Sequence, residues 1–172
     1  DIDALAVERG LDPVTLKAWL DYLAIGPGGS VEVEGLFQKK TSKGGGYDFV
    51  GGWGTPATPS VISNWSDKEV RIPGISRPHS VVAHPSPTTF AAIGWKSPIE
   101  GIVTVEARIG DAHPECGNGV EWWVQQRSSR ELANLGQGDF ERGGSSHMKP
   151  KTVAVRKGEL ISIIIGPRQG QH

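Results

Sequence analysis

The chain is 172 residues long and carries 18 Lys and Arg against 19 Asp and Glu, for a formal net charge of −1. That length suits a single domain able to bury its own core, and the charge balance leaves no basic excess to neutralise phosphates, which argues against a nucleic-acid partner. Cys116 is the only cysteine, which excludes an internal disulfide, a Cys-rich zinc site and haem held by paired cysteines; no apolar run reaches the roughly 18 to 20 residues of a membrane-spanning helix.

Residues 1–25 read as a helical lead-in. Leu5, Ala6, Leu16, Trp19, Leu20 and Leu23 recur at helical spacing, Gly10 interrupts them, and Asp12-Pro13 supplies an N-cap followed by proline in the first turn. Two short helices are expected. So small a pair cannot bury its own apolar stripe, so it packs on the sheet or continues a helical region of a longer chain. The opening Asp1-Ile-Asp, without a start methionine or a cleavable leader, reads as that of an excised piece.

Residues 26–172 read as an all-β domain. Val31 to Phe37 alternates as a strand does, and a Gly- and Pro-rich loop is expected over about 38–60, through Gly44-Gly-Gly46, Gly51-Gly52 and Thr55-Pro-Ala-Thr-Pro59. Short strands then recur at sandwich spacing: Val61 to Ser63, Val70 to Ile72, Ser80 to His84, Phe90 to Trp95, Gly101 to Ile109, Val120 to Arg127, Arg130 to Leu135, Thr152 to Val155 and Leu160 to Ile165. Pro73-Gly74, Pro85-Ser-Pro87, Gly143-Gly-Ser-Ser146 and Lys157-Gly158 supply turns. The expected fold is an antiparallel β-sandwich, jelly-roll-like, preceded by the two helices.

The adjacent tryptophans of Val120-Glu-Trp-Trp-Val-Gln-Gln-Arg127 pose the functional question. Side chains alternate across a strand, so Val120, Trp122 and Val124 share one face, while Glu121, Trp123 and Gln125 share the other. A sugar ring needs a flat aromatic face and planar polar groups for its hydroxyls. Trp123 with Glu121 and Gln125 meets that need, joined by Arg108, Glu106 or Thr104 from the strand expected alongside. Core packing is the competing role for any indole of a sandwich, and it is the expected one for Trp95 and Trp122. Trp53, framed by glycines, is a second candidate for stacking, whereas Trp65 after Asn64 reads as a turn anchor.

Other chemistry is weaker. Asp111, Glu115 and Asn118 offer the oxygen ligands that calcium accepts, but a solvated turn bonded to nearby amides is the preferred reading and no metal is expected. His79, His84 and His113 lack the spacing of a zinc or copper site. His113 beside Cys116 lacks an orienting third group for thiol catalysis. Glu106 and Glu121 on neighbouring strands would suit the carboxylate separation of a glycosidase, with Arg108 ready to neutralise the pair instead. Lys43 precedes its glycines and no helical pattern follows, unlike a phosphate-binding loop.

Ile62-Ser-Asn-Trp-Ser-Asp67, Val70-Arg-Ile-Pro-Gly74, His84-Pro-Ser-Pro87, Gly94-Trp-Lys-Ser-Pro98, Cys116-Gly-Asn-Gly-Val120 with Trp122, and Lys157-Gly-Glu-Leu-Ile161 together resemble a domain of planctomycete cytochrome-associated multidomain proteins. The resemblance covers roughly residues 60–172. It implies a sandwich of the carbohydrate-binding-module type, exported with its parent to an extracytoplasmic location, with haem elsewhere in the parent and other domains of the same chain as partners. The family's sequence would be expected to run beyond His172, into a last strand or a partner for Cys116. Residues and resemblance together point to a non-catalytic module that holds its parent on a polysaccharide. Trp123 is the expected stacking residue, with Glu121, Gln125 and Arg108 as its expected hydroxyl partners and Trp53 as a contributor from a loop, and no cofactor is expected in the chain. The alternatives are a structural spacer without a small ligand and, less favoured, a polysaccharide hydrolase.

Overall fold

The computed structural model describes residues 1–22, 31–55, 58–129 and 131–169. Helix α1 (Ile2–Glu8) is capped by the Asp1 carboxylate, which accepts from the Asp3 amide. Helix α2 (Pro13–Tyr22) has proline in its first position, where no N–H is needed, and Asp12 accepts from both the amide and the hydroxyl of Thr15. Lys17 bridges the two helices to Asp3 at 2.8 Å. Their main contact is with each other, and Leu5, Val7, Leu11, Val14 and Trp19 stay exposed. The expected helical position Leu23 and the 25/26 boundary lie outside the described residues.

Among the described residues twelve strands follow: β1 (Lys40–Thr41), β2 (Val50–Gly54), β3 (Ser60–Asn64), β4 (Val70–Ile72), β5 (Gly74–Ser76), β6 (Ser80–His84), β7 (Ala91–Lys96), β8 (Gly101–Gly110), β9 (Gly119–Arg127), β10 (Leu132–Glu141), β11 (Ser145–Val155) and β12 (Leu160–Pro167). Every pairing between them is antiparallel. The sheets run β1-β2-β3-β6, β10-β9-β12-β7, β11-β8 and β4-β5. This is the expected all-β sandwich with two short helices ahead of it.

One core joins the layers. Trp122, Val124, Phe140 and Ile165, from the inner face of the β10-β9-β12-β7 sheet, pack with Met148 of β11, and Val105, Ala107 and Ile109 of β8 close over them. Gly136 and Gly138 in β10 make room: a Cβ at 138 would stand 3.0 Å from the Trp122 ring, and one at 136 would stand 2.5 Å from the Met148 sulfur. Glycine therefore sits inside this strand because its neighbours occupy the space a side chain would need.

Three local expectations change. Residues 31–37 form no strand; Val31 is buried and its amide donates to the Gly158 carbonyl, but the alternation there meets no ladder. The expected loop at 38–60 contains β1 and β2, and the glycines of β2 reflect close packing, since a Cβ at Gly52 would meet the Val61 carbonyl oxygen at 2.0 Å. Trp95, expected in the core, is 42% exposed, because it stands at the opposite end of β7 from the buried Ala91 and outside the core cluster.

Candidate carbohydrate-binding platform

Strand β9 separates its two indoles as its alternation requires. Trp122 points inward and is 3% exposed, whereas Trp123 lies half-buried on the outer face. Ala91 pairs with Ile165, which brings Phe90, the residue just ahead of β7, level with Gly166 of β12; Gly166 in turn pairs with Glu121 of β9. Across this glycine the rings of Phe90 and Trp123 stack, with centroids 5.4 Å apart and planes 14° from parallel. A Cβ at Gly166 would stand 3.0 Å from Phe90 Cε1 and 3.1 Å from Trp123 Cζ3. The missing side chain is what lets two aromatic rings from different strands close into one surface.

Polar groups ring the pair. Gln137 of β10 pairs with Trp123, Asp139 pairs with Glu121, and Ser162 of β12 pairs with Gln125. Arg168, just past β12, donates through Nε to Asp139 at 3.1 Å and through its terminal nitrogens to Glu141 at 3.4 and 3.5 Å. The Asn134 amide donates to the Gln137 side-chain oxygen. Glu121 and Gln125 have no side-chain hydrogen bond recorded among the described residues, so their polar atoms are available to a ligand at the rim of the aromatic pair.

Trp123, Glu121 and Gln125 thus share one face, but Arg108 and Trp53 do not join them. Strand β8 pairs with β11, not with β9, so Arg108, Glu106 and Thr104 belong to the other layer. There Arg108 Nε and the His147 ring nitrogen lie 3.0 and 2.7 Å from Glu106 Oε1. The bonds from His147 and then Arg108 hold the Glu106 carboxyl below its ordinary range against a small opposing desolvation. Residues 111–118 carry the chain from one layer to the other between β8 and β9, which the expectation of neighbouring strands did not include. Glu106 and Glu121 therefore form no cross-strand carboxylate pair. Trp53 stands in β2, 46% exposed, with the Lys40 ammonium 5.6 Å from its ring.

Phe90 is the residue that sequence reasoning missed. Its signal lies in two places: an aromatic one step outside an apolar strand, and a glycine inside the otherwise Ile-rich β12. Of the loop residues weighed for metal binding, Asp111 and Glu115 are otherwise engaged, whereas the Asn118 side-chain oxygen is buried without a hydrogen-bond partner. Asp111 accepts from the amides of His113 and Gly143 at 2.8 and 2.7 Å, bracing the turn. Glu115 pairs with Arg71 at 3.1 Å. Its own backbone amide first, and then Arg71, hold its carboxyl below the ordinary range. Among the described residues no group of three His, Cys, Asp or Glu could hold a metal ion, and no helix is long and apolar enough to cross a membrane. Cys116 is exposed.

In comparison with protein-family models, with curated proteins and with solved structures, nothing matches this chain.

Proposed function

We propose that the chain is a non-catalytic carbohydrate-binding module, and that it holds a larger, exported multidomain protein on a polysaccharide. The observation that carries this reading is the Phe90–Trp123 stack on an outer sheet face, with the Glu121 carboxylate and the Gln125 amide open beside it. Apolar ring faces meet the axial C–H groups of a sugar, and planar polar side chains take adjacent hydroxyls. Affinity from one such platform is modest, and repetition in a parent protein would raise it.

The test is affinity electrophoresis through gels containing neutral polysaccharides. Retardation is expected for the native chain, and Trp123→Ala or Phe90→Ala should each weaken it about tenfold with the β-sheet circular dichroism spectrum retained. Undiminished retardation of both variants overturns the proposal.

The exposed apolar residues of the helical pair, Val14 and Leu11 among them, favour a second reading, a spacer that packs against neighbouring domains and binds no small ligand. Tryptophan fluorescence separates the two: a saturable change with oligosaccharide belongs to the module and its absence to the spacer.

A further inference from the structure

The layer opposite the β10-β9-β12-β7 sheet is made of two pieces, β1-β2-β3-β6 and β11-β8, with no strand pairing between them among the described residues. Between the pieces lies a cleft of about 590 Å³. Its floor is apolar, formed by Ile93, Val120, Ile163 and Ile165 of the facing sheet. One wall is β6, which lines the cleft with Val81, Val82 and Ala83 in succession. Neighbouring residues of a strand point to opposite faces, so Val81, Val82 and Ala83 together meet one space at the edge of β6, from which the cleft continues over Ser60 and Ile62 of β3. Strand β6 pairs with β3 along its other edge. The opposite wall is the end of β8, Arg108 to Gly110, whose recorded partner is β11. At one end the cleft is closed where the Ile75 amide of β5 donates to the Ala112 carbonyl at 2.5 Å.

We infer that this cleft is a slot for one extended polypeptide segment, which enters as an added strand between β6 and β8. An unpaired strand edge presents a row of N–H and C=O groups that another strand satisfies. The isoleucine floor selects the side chains at alternate positions as apolar, and those between them face outward and are polar. Binding strands by edge addition draws affinity from main-chain hydrogen bonds and specificity from alternate side chains. A segment of about five residues matches the length of β6, the shorter of the two strands that frame the slot. An acyl chain would also meet the apolar floor, but it has no groups to satisfy the two edges.

The test uses the whole chain with a synthetic peptide of alternating valine and threonine, flanked by lysines, and the same peptide N-methylated at alternate residues. Amide hydrogen exchange is followed at Val81–Ala83 and at Arg108–Gly110. The unmodified peptide should bind saturably and slow exchange at both walls by about tenfold or more. Each of the two methylated versions in opposite phase blocks one edge of the added strand, so both should bind more weakly than the unmodified peptide and lose protection at the wall that edge faces. Three results overturn the inference: no protection at either wall, equal protection by lauric acid, or protection that appears with protein concentration alone. The last would make the occupant a second copy of this chain. None of these results bears on the Phe90–Trp123 face, which is tested by glycan binding.

Discussion

Asn64 is the residue whose replacement should cost the fold most for its size. It is 1% exposed at the end of β3, and its amide nitrogen faces the carbonyls of Lys68, Ser76 and Arg77 at 2.7, 3.1 and 3.1 Å, while its oxygen accepts from the Ser66 amide and hydroxyl. One side chain therefore ties β3 to the turn that follows it and to the segment after β5. Alanine there removes the donor from one buried and two partly buried backbone acceptors, and a loss of about 2–3 kcal/mol is expected in urea denaturation. Aspartate keeps the shape but sets a carboxylate against three carbonyl oxygens. Asn64→Asp should therefore be at least as destabilising as Asn64→Ala at neutral pH, and it should recover partly in acid, where a protonated carboxyl can donate. Equal stability of the native chain and Asn64→Asp at neutral pH would refute this account of the turn.

The hairpin of β8 and β11 carries its own electrostatic signature. On its exposed face His147 pairs with Arg108 across the ladder, and both reach Glu106. Glu106 has its carboxyl lowered from the ordinary 4.5, chiefly by the His147 bond and then by the Arg108 bond. A carboxyl depressed by folding stabilises the native state above its unfolded value, and that contribution disappears as pH falls through the folded value. Thermal melts between neutral pH and about pH 3 should therefore show a shallower acid limb for Glu106→Gln than for the native chain, the two curves converging below the folded pKa. A parallel acid limb would remove Glu106 from this role. The same hairpin shows why only part of the site was legible in the sequence. The opposed faces of Trp122 and Trp123 follow from the period of a strand, which is local. Which strand lies next to β9 is set by long-range pairing, and periodicity is silent on it; for that reason Arg108, expected beside Trp123, stands in the other layer. The lengths of β10 and β11 were hidden similarly, by Gly136, Gly138 and Pro150, residues that read locally as breaks. Two of these are glycines because Met148 and Trp122 fill the space above them.

Over the whole molecule charge is nearly balanced, at a formal −1, but it is not evenly spread around the aromatic pair. The register places Glu121, Asp139 and Glu141 on the outer face with Trp123, and of their surroundings Arg168 is the cation that bonds Asp139 and Glu141. At the Phe90–Trp123 end of this face three carboxylates and one guanidinium repel an anionic polymer, with Arg127 and Lys96 at its other end, while stacking on Phe90 and Trp123 is indifferent to salt. The proposed module should accordingly retain a neutral glucan equally at low and high ionic strength, and should fail to retain a polyuronate at low salt, where repulsion is least screened. Replacing two of the carboxylates with amides, in Glu121→Gln with Asp139→Asn, weakens the exclusion in two ways: it removes negative charge, and it leaves the Arg168 guanidinium without the neutralising charge of Asp139. Polyuronate retention should then appear at low salt and fade as salt is added. If neutral-glucan retention in the native chain is itself lost at high salt, attraction between charges rather than ring stacking holds the sugar, and the aromatic pair is not the platform.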